Sequence, residues 1–157
     1  EDNDRLEKKV VELLKKLNMN ISTAESCTGG MLASKLIDVP GISEVFYEGV
    51  VSYSNEAKIN RLGVKKETLD KYGAVSEEVA KEMVMGLTTD VALSTTGIAG
   101  PDGGSEEKPV GLVYMGIRIK DKIYVEKRVF RGDRNKVRER TVSHTLFTLI
   151  KILNEDV

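Results

Sequence analysis

The feature that most limits how this chain can fold is a repeated switch of hydrophobic period over its first two thirds. From Asp4 to about Leu17, apolar Leu6, Val10, Leu13, Leu14 and Leu17 recur at helical spacing, while Lys8, Lys9, Glu12, Lys15 and Lys16 take the outer face. Asn18 to Asn20 end that helix, and ISTAES reads as a short strand running into a glycine-containing turn that opens a helix from Thr28 to about Ile37. VFYEGVVSY, Val45 to Tyr53, is rich in β-branched and aromatic residues and predicts a second strand. SNE then starts a helix carrying Lys58 on its first turns and closing at Leu62-Gly63. A short helix around Lys66 to Lys71 follows, Ser76 caps another to about Leu87, and VALSTTG reads as a strand buried on both faces.

After a long loop, GIAGPDGGSEEKP, the segments VGLVYMGIRIK and KIYVEKRVF alternate in period two around Asp121, the pattern of an antiparallel hairpin. Asp133 is placed to cap a last helix that turns Val137, Val142, Leu146, Leu149, Ile150 and Leu153 inward. Alternating helices and strands followed by a late hairpin predict an α/β layered domain with a mixed, roughly five-stranded sheet. At 157 residues the chain reads as a single domain, residues 1–157, able to bury its own core.

Composition narrows the partners. No apolar run approaches the roughly 20 residues that span a bilayer, so no membrane partner is expected. A formal net charge of −1 gives no global positive field for nucleic acid. One cysteine, and an amino-terminal EDNDRLEKKVV without an apolar segment, make a reducing cytoplasm the expected compartment. The apolar helices point to self-association as a homo-oligomer, a dimer before other states.

Chemistry concentrates in three places. TAESCTGG sets Ser26 and Cys27 side by side before a helix. Taken alone, Ser26 reads as a helix N-cap before it reads as a nucleophile. Thr28, Gly29 and Gly30 add a turn whose backbone N–H groups could face a phosphate or a developing oxyanion. The chain's single histidine, His144, falls on the last helix at an amphipathic position, so a Ser-His-Asp route is disfavoured. Lysine can serve as base where burial lowers its pKa, which makes Lys58 a candidate, with Tyr53 at the preceding strand's end to orient the amine or relay a proton. A solvated lysine and a core-edge tyrosine are the plainer readings of those two. Cys27 reads first as a small core residue and second as a rival nucleophile.

The loop glycines fall at Gly97, Gly100, Gly103 and Gly104, which fits neither G-x-G-x-x-G nor a P-loop. What remains is a pliable backbone at the end of a buried strand, with Thr95 and Thr96 offering hydroxyls. Arg131, Arg134 and Arg138 cluster at the last helix, and Arg134 with Arg138 share a face that can clamp a phosphate or serve as a solvated helix start. No His, Cys or carboxylate cluster has metal-ligand spacing, and neither metal nor cofactor is expected.

Together, TAESCTGG, FYEGVVSYSNEAK, GAVSEEVA, STTGIAGPDGGSEEKPVG and FRGDR resemble the C-terminal domain of the CinA family, the competence/damage-inducible proteins, over about residues 5 to 153. The resemblance implies a three-layer α/β/α domain and a serine amidohydrolase acting on nicotinamide mononucleotide to give nicotinate mononucleotide and ammonia. It places the serine at Ser26, the tyrosine at Tyr53 and the lysine at Lys58. Substrate contacts are expected from Thr28, Gly29, Gly30, Thr96, Gly97, Gly100, Gly103, Gly104 and Arg134. The alternatives are a nucleotide-binding module without turnover and a cysteine hydrolase using Cys27, with His144 as its base.

Overall fold

The computed structural model describes residues 5–156. Helix α1 spans Leu6–Leu17 and is stopped by Asn18, whose left-handed backbone (φ 57°) returns its N–H to the helix carbonyls. The helix start expected at Asp4 lies outside the described residues. Strand β1 is Ile21–Glu25, helix α2 Met31–Ile37, strand β2 Phe46–Val51 and helix α3 Asn55–Leu62. Helices α4 (Lys66–Tyr72) and α5 (Glu77–Met85) lead to strand β3 (Val91–Gly97). The hairpin of β4 (Leu112–Ile119) and β5 (Lys122–Val129) precedes α6 (Arg134–Asp156).

The five strands form one sheet in the order β2-β1-β3-β4-β5. β1 runs parallel to β2 and β3, whereas β3, β4 and β5 pair antiparallel, so the sheet is mixed as expected. Ile21, Val91, Leu93 and Ile117 pack with Val10, Leu14, Leu36 and Leu146 of α1, α2 and α6. Ala24 and Ala92 point the opposite way, against Val79 and Met83 of α5 with Leu62 and Leu69 from α3 and α4. Alternate residues of β1 and β3 therefore feed two cores, and helices cover both faces of the sheet. Truncating a fully buried residue of this kind, such as Leu93→Ala, costs about 2–5 kcal/mol.

The chain leaves β1 through α2 to reach β2 on one side, then crosses back through α3 to α5 to reach β3 on the other. The carboxyl ends of β1 and β3 are therefore where the connections diverge, and open α/β sheets hold ligands in the crevice at such a point. One boundary differs from expectation in a way that matters there. Helix α2 begins at Met31 and not at Thr28, because Gly29 (φ 58°) and Gly30 (φ 102°) are left-handed and keep the chain in a turn after Ser26.

Candidate active site

Ser26 follows the last residue of β1, held by its N–H donating to Thr95 O of β3 at 3.0 Å. Lys58 comes from α3, whose start is fixed by Ser54 Oγ accepting the Ala57 N–H at 3.0 Å. That start aims Lys58 inward, and only 1% of the residue is exposed. Its Nζ lies 3.0 Å from Ser26 Oγ, 3.0 Å from Ser52 O and 3.0 Å from Tyr53 O. Burial pushes the Lys58 amine below its ordinary value, with Cys27 opposing that in part. Two partners are carbonyls, which can only accept. The third is a hydroxyl, which accepts from the ammonium or donates to the neutral amine, so in the neutral form the lone pair points at Ser26. An alcohol 3.0 Å from a buried amine whose pKa is pushed down is the arrangement of a nucleophile beside its base.

These residues open into a cavity of about 290 Å³. Of the residues singled out in the sequence, Ser26, Cys27, Tyr53, Lys58, Thr96, Gly97, Gly100, Gly103 and Arg134 line it. Ala74, Val75, Ile98, Ala99 and Asp102 line it as well; they lie within the GAVSEEVA and STTGIAGPDGG motifs but are not among the singled-out site residues. The loop after β3 is pinned rather than loose: Ile98 N–H donates to Leu112 O, Gly111 N–H to Ile98 O, and Lys108 Nζ to Tyr72 O. Thr96 ties the far wall by donating to Ala74 O at 2.9 Å. Arg134, the first residue of α6, donates to Gly100 O at 2.7 Å and so braces the same loop.

Several expected contacts fall elsewhere. Thr28, Gly29 and Gly30 do not line the cavity, because the Glu25 carboxylate already occupies the start of α2 and takes the Gly30, Leu32 and Ala33 N–H groups. Gly104 is turned against Val110 and is likewise outside the cavity. Arg138 does not pair with Arg134 at a common ligand; it donates to Cys27 O and Thr28 O. Tyr53 reaches Lys58 through its main-chain carbonyl, while the residue as a whole is 61% exposed at the cavity mouth. The contact that orients the amine in this structure is that main-chain carbonyl.

Cys27 packs with Ala99, Val113, Met115 and Val137, and burial pushes its thiol up to about 11, with a hydrogen bond from Thr95 opposing. His144 is engaged with Glu126, 2.8 Å from its Oε1, and is contacted by Arg128, while among the described residues no contact joins it to Cys27. The pair needed for a cysteine hydrolase is therefore not assembled. Among the described residues there is no group of three or more His, Cys, Asp or Glu side chains able to hold a metal ion, and no helix is long and apolar enough to cross a membrane.

Known proteins identify the family and share the fold. The family model described as the CinA C-terminal domain matches residues 3–153. The chain belongs to the CinA family. A CinA-like protein of Fusobacterium nucleatum is 64% identical over 159 residues, covering 100% of this chain and 40% of that protein. A putative competence-damage inducible protein of Clostridium beijerinckii is 57% identical, covering 94% of this chain and 37% of that one. The chain thus spans well under half the length of these CinA relatives. Solved structures match it nearly end to end. The competence damage-inducible protein A of Klebsiella pneumoniae superposes with a TM-score of 0.94 at 34% identity, covering 97% of each chain. The competence/damage inducible protein CihA of Agrobacterium tumefaciens gives 0.92 at 39% identity, covering 99% of this chain and 97% of that one.

Proposed function

We propose that this CinA domain is an amidohydrolase that deamidates nicotinamide mononucleotide, with Ser26 as nucleophile and Lys58 as general base and acid. The observation that carries the reading is the buried Lys58 Nζ, 3.0 Å from Ser26 Oγ, at the floor of a cavity of about 290 Å³.

Ser26 Oγ attacks the carboxamide carbon as its proton passes to Lys58, and the carbonyl electron pair moves onto oxygen. A backbone N–H beside the nucleophile, such as that of Cys27, stabilises that oxyanion and is worth about 3 kcal/mol; the Ile98 N–H is engaged with Leu112 O and is not such a donor. The C–N bond then breaks and the lysine proton goes to the leaving nitrogen, releasing ammonia and leaving an acyl-Ser26 ester. Water, deprotonated by Lys58, cleaves the ester to nicotinate mononucleotide and restores the serine. Tyr53 lines the same cavity and holds Lys58 through its main-chain carbonyl. Arg134 supplies a positive group on the cavity wall for the substrate phosphate, in place of the clamp expected from Arg134 with Arg138.

The test is ammonia release from nicotinamide mononucleotide by the wild type and by Ser26→Ala. Turnover in the first and its loss in the second supports the reading. Calorimetric binding without any product in the wild type would mark the domain as a nucleotide-binding module instead.

A further inference from the structure

The acid that precedes the nucleophile has no part in the proton transfers above, yet Glu25 is 1% exposed. Its Oε1 accepts from Thr28 Oγ1 at 2.5 Å, Gly30 N at 3.1 Å and Leu32 N at 2.9 Å, and its Oε2 accepts from Ala33 N at 2.9 Å. A carboxylate with this many donors, three of them main-chain, fixes the path of the backbone from 28 to 33. From the other side, Arg138 Nε donates to Cys27 O at 3.1 Å and its Nη2 to Thr28 O at 3.0 Å. An anion therefore ties the turn, through Thr28 Oγ1 and the Gly30 N–H, to the first turn of α2, through the Leu32 and Ala33 N–H groups, while a cation holds the turn's carbonyls. Neither side chain lines the cavity, so neither is placed to touch substrate.

Ser26 Oγ itself has little to hold it. Its contacts are Lys58 Nζ at 3.0 Å and a long one to Tyr53 O at 3.5 Å, so its position follows from the main chain on which it sits. We infer that Glu25 and Arg138 are positioning residues that clamp the turn of residues 26 to 30, keeping Ser26 Oγ within reach of Lys58. The inference rests on the serine-lysine reading above.

The experiment is steady-state deamidation of nicotinamide mononucleotide by Glu25→Gln and Arg138→Lys in the full chain, with thermal unfolding of each and Ser26→Ala measured beside them. Glutamine keeps the shape but turns an NH₂ toward groups that are themselves donors, and lysine cannot bridge both carbonyls with a fixed fork. A displacement of about 1 Å at the nucleophile costs up to about 100-fold. The expected result is a kcat reduced by about tenfold to about 100-fold with KM and the pH profile unchanged. Wild-type kcat in a folded Glu25→Gln overturns the inference, as does an Arg138→Lys protein whose KM rises at unchanged kcat, the behaviour of a phosphate ligand. If Glu25→Gln does not fold, Arg138→Lys decides by the same criterion. Turnover surviving in Ser26→Ala removes the serine reading itself, whereas an inactive Ser26→Ala beside fully active Glu25→Gln and Arg138→Lys removes the clamp alone.

Discussion

Lys58 Nζ stands 3.0 Å from Ser26 Oγ with its remaining bonds directed at Ser52 O and Tyr53 O. The ion pairs found among the described residues do not include Lys58. A buried cation without a carboxylate partner is costly, so this arrangement favours the neutral amine that general-base catalysis needs. Lys58→Met keeps the apolar stem and removes the base, and its deamidation rate is expected to fall by about 10²–10⁴-fold. Lys58→Arg should be no better, because a guanidinium does not give up its proton. Ammonia release decides both, and an active Lys58→Arg would rule out the base role.

The depressed Lys58 pKa also fixes the sign of two pH effects. Deprotonation generates the active base, so kcat/KM should rise with pH through an apparent pKa below the ordinary 10.5 of lysine. For stability, the unfolded chain holds the lysine proton up to 10.5 while the folded chain has already released it. The unfolded state therefore binds more protons between the two values, and stability rises with pH across that window and is lost as pH falls through the folded pKa. Thermal unfolding of wild type against Lys58→Met, followed from neutral to alkaline pH, should show the wild type gaining on the variant. A gap that stays flat or closes with rising pH would contradict a depressed lysine.

Cys27 makes the opposite case. Its thiol is held up to about 11, so although Cys27 borders the cavity and is 7% exposed, little thiolate exists at neutral pH. Cys27→Ala is expected to keep wild-type kcat while losing about 1 kcal/mol or more of stability from the small void beside Met115 and Val137. Native protein should resist iodoacetamide at neutral pH, read by mass spectrometry. Abolished turnover in a folded Cys27→Ala would reopen the cysteine mechanism.

Periodicity carried most of the fold, because strands buried on two faces and helices buried on one leave different traces in a sequence. The β4-β5 hairpin appeared as alternation around Asp121, and its turn indeed lies between Ile119 and Lys122. The Ser54, Ser76 and Asp133 caps were visible as residue types before helical runs. What periodicity could not convey is the direction of a polar side chain. Lys58 reads as a surface lysine until α3 is seen to aim it inward, and no pattern in the sequence marks Glu25, although the donors of the following turn and of α2 close around it. Arg134 and Arg138 share a helical face in the sequence, yet one braces the Gly100 loop and the other the Ser26 turn. The i,i+4 relation fixes their mutual spacing and says nothing of which loop stands opposite.

Gly97 tests whether the wall of the cavity depends on a bare backbone. A Cβ there would lie 2.7 Å from Val113 Cγ2 and 2.8 Å from Leu112 O, within the β3-β4 pair, so Gly97→Ala must spread strands at the point where β3 meets the cavity. Overpacking of this kind costs about 1–3 kcal/mol. Gly63→Ala is the comparison: open space surrounds that position, but its φ of 74° is left-handed, so the alanine costs about 1–2 kcal/mol through backbone conformation alone. Gly63 lies outside the cavity. The two variants should thus lose similar stability in thermal unfolding, while only Gly97→Ala loses deamidation at temperatures where both are folded. Equal activity in the pair would mean that the strand end beside Thr96 does not shape the substrate's seat.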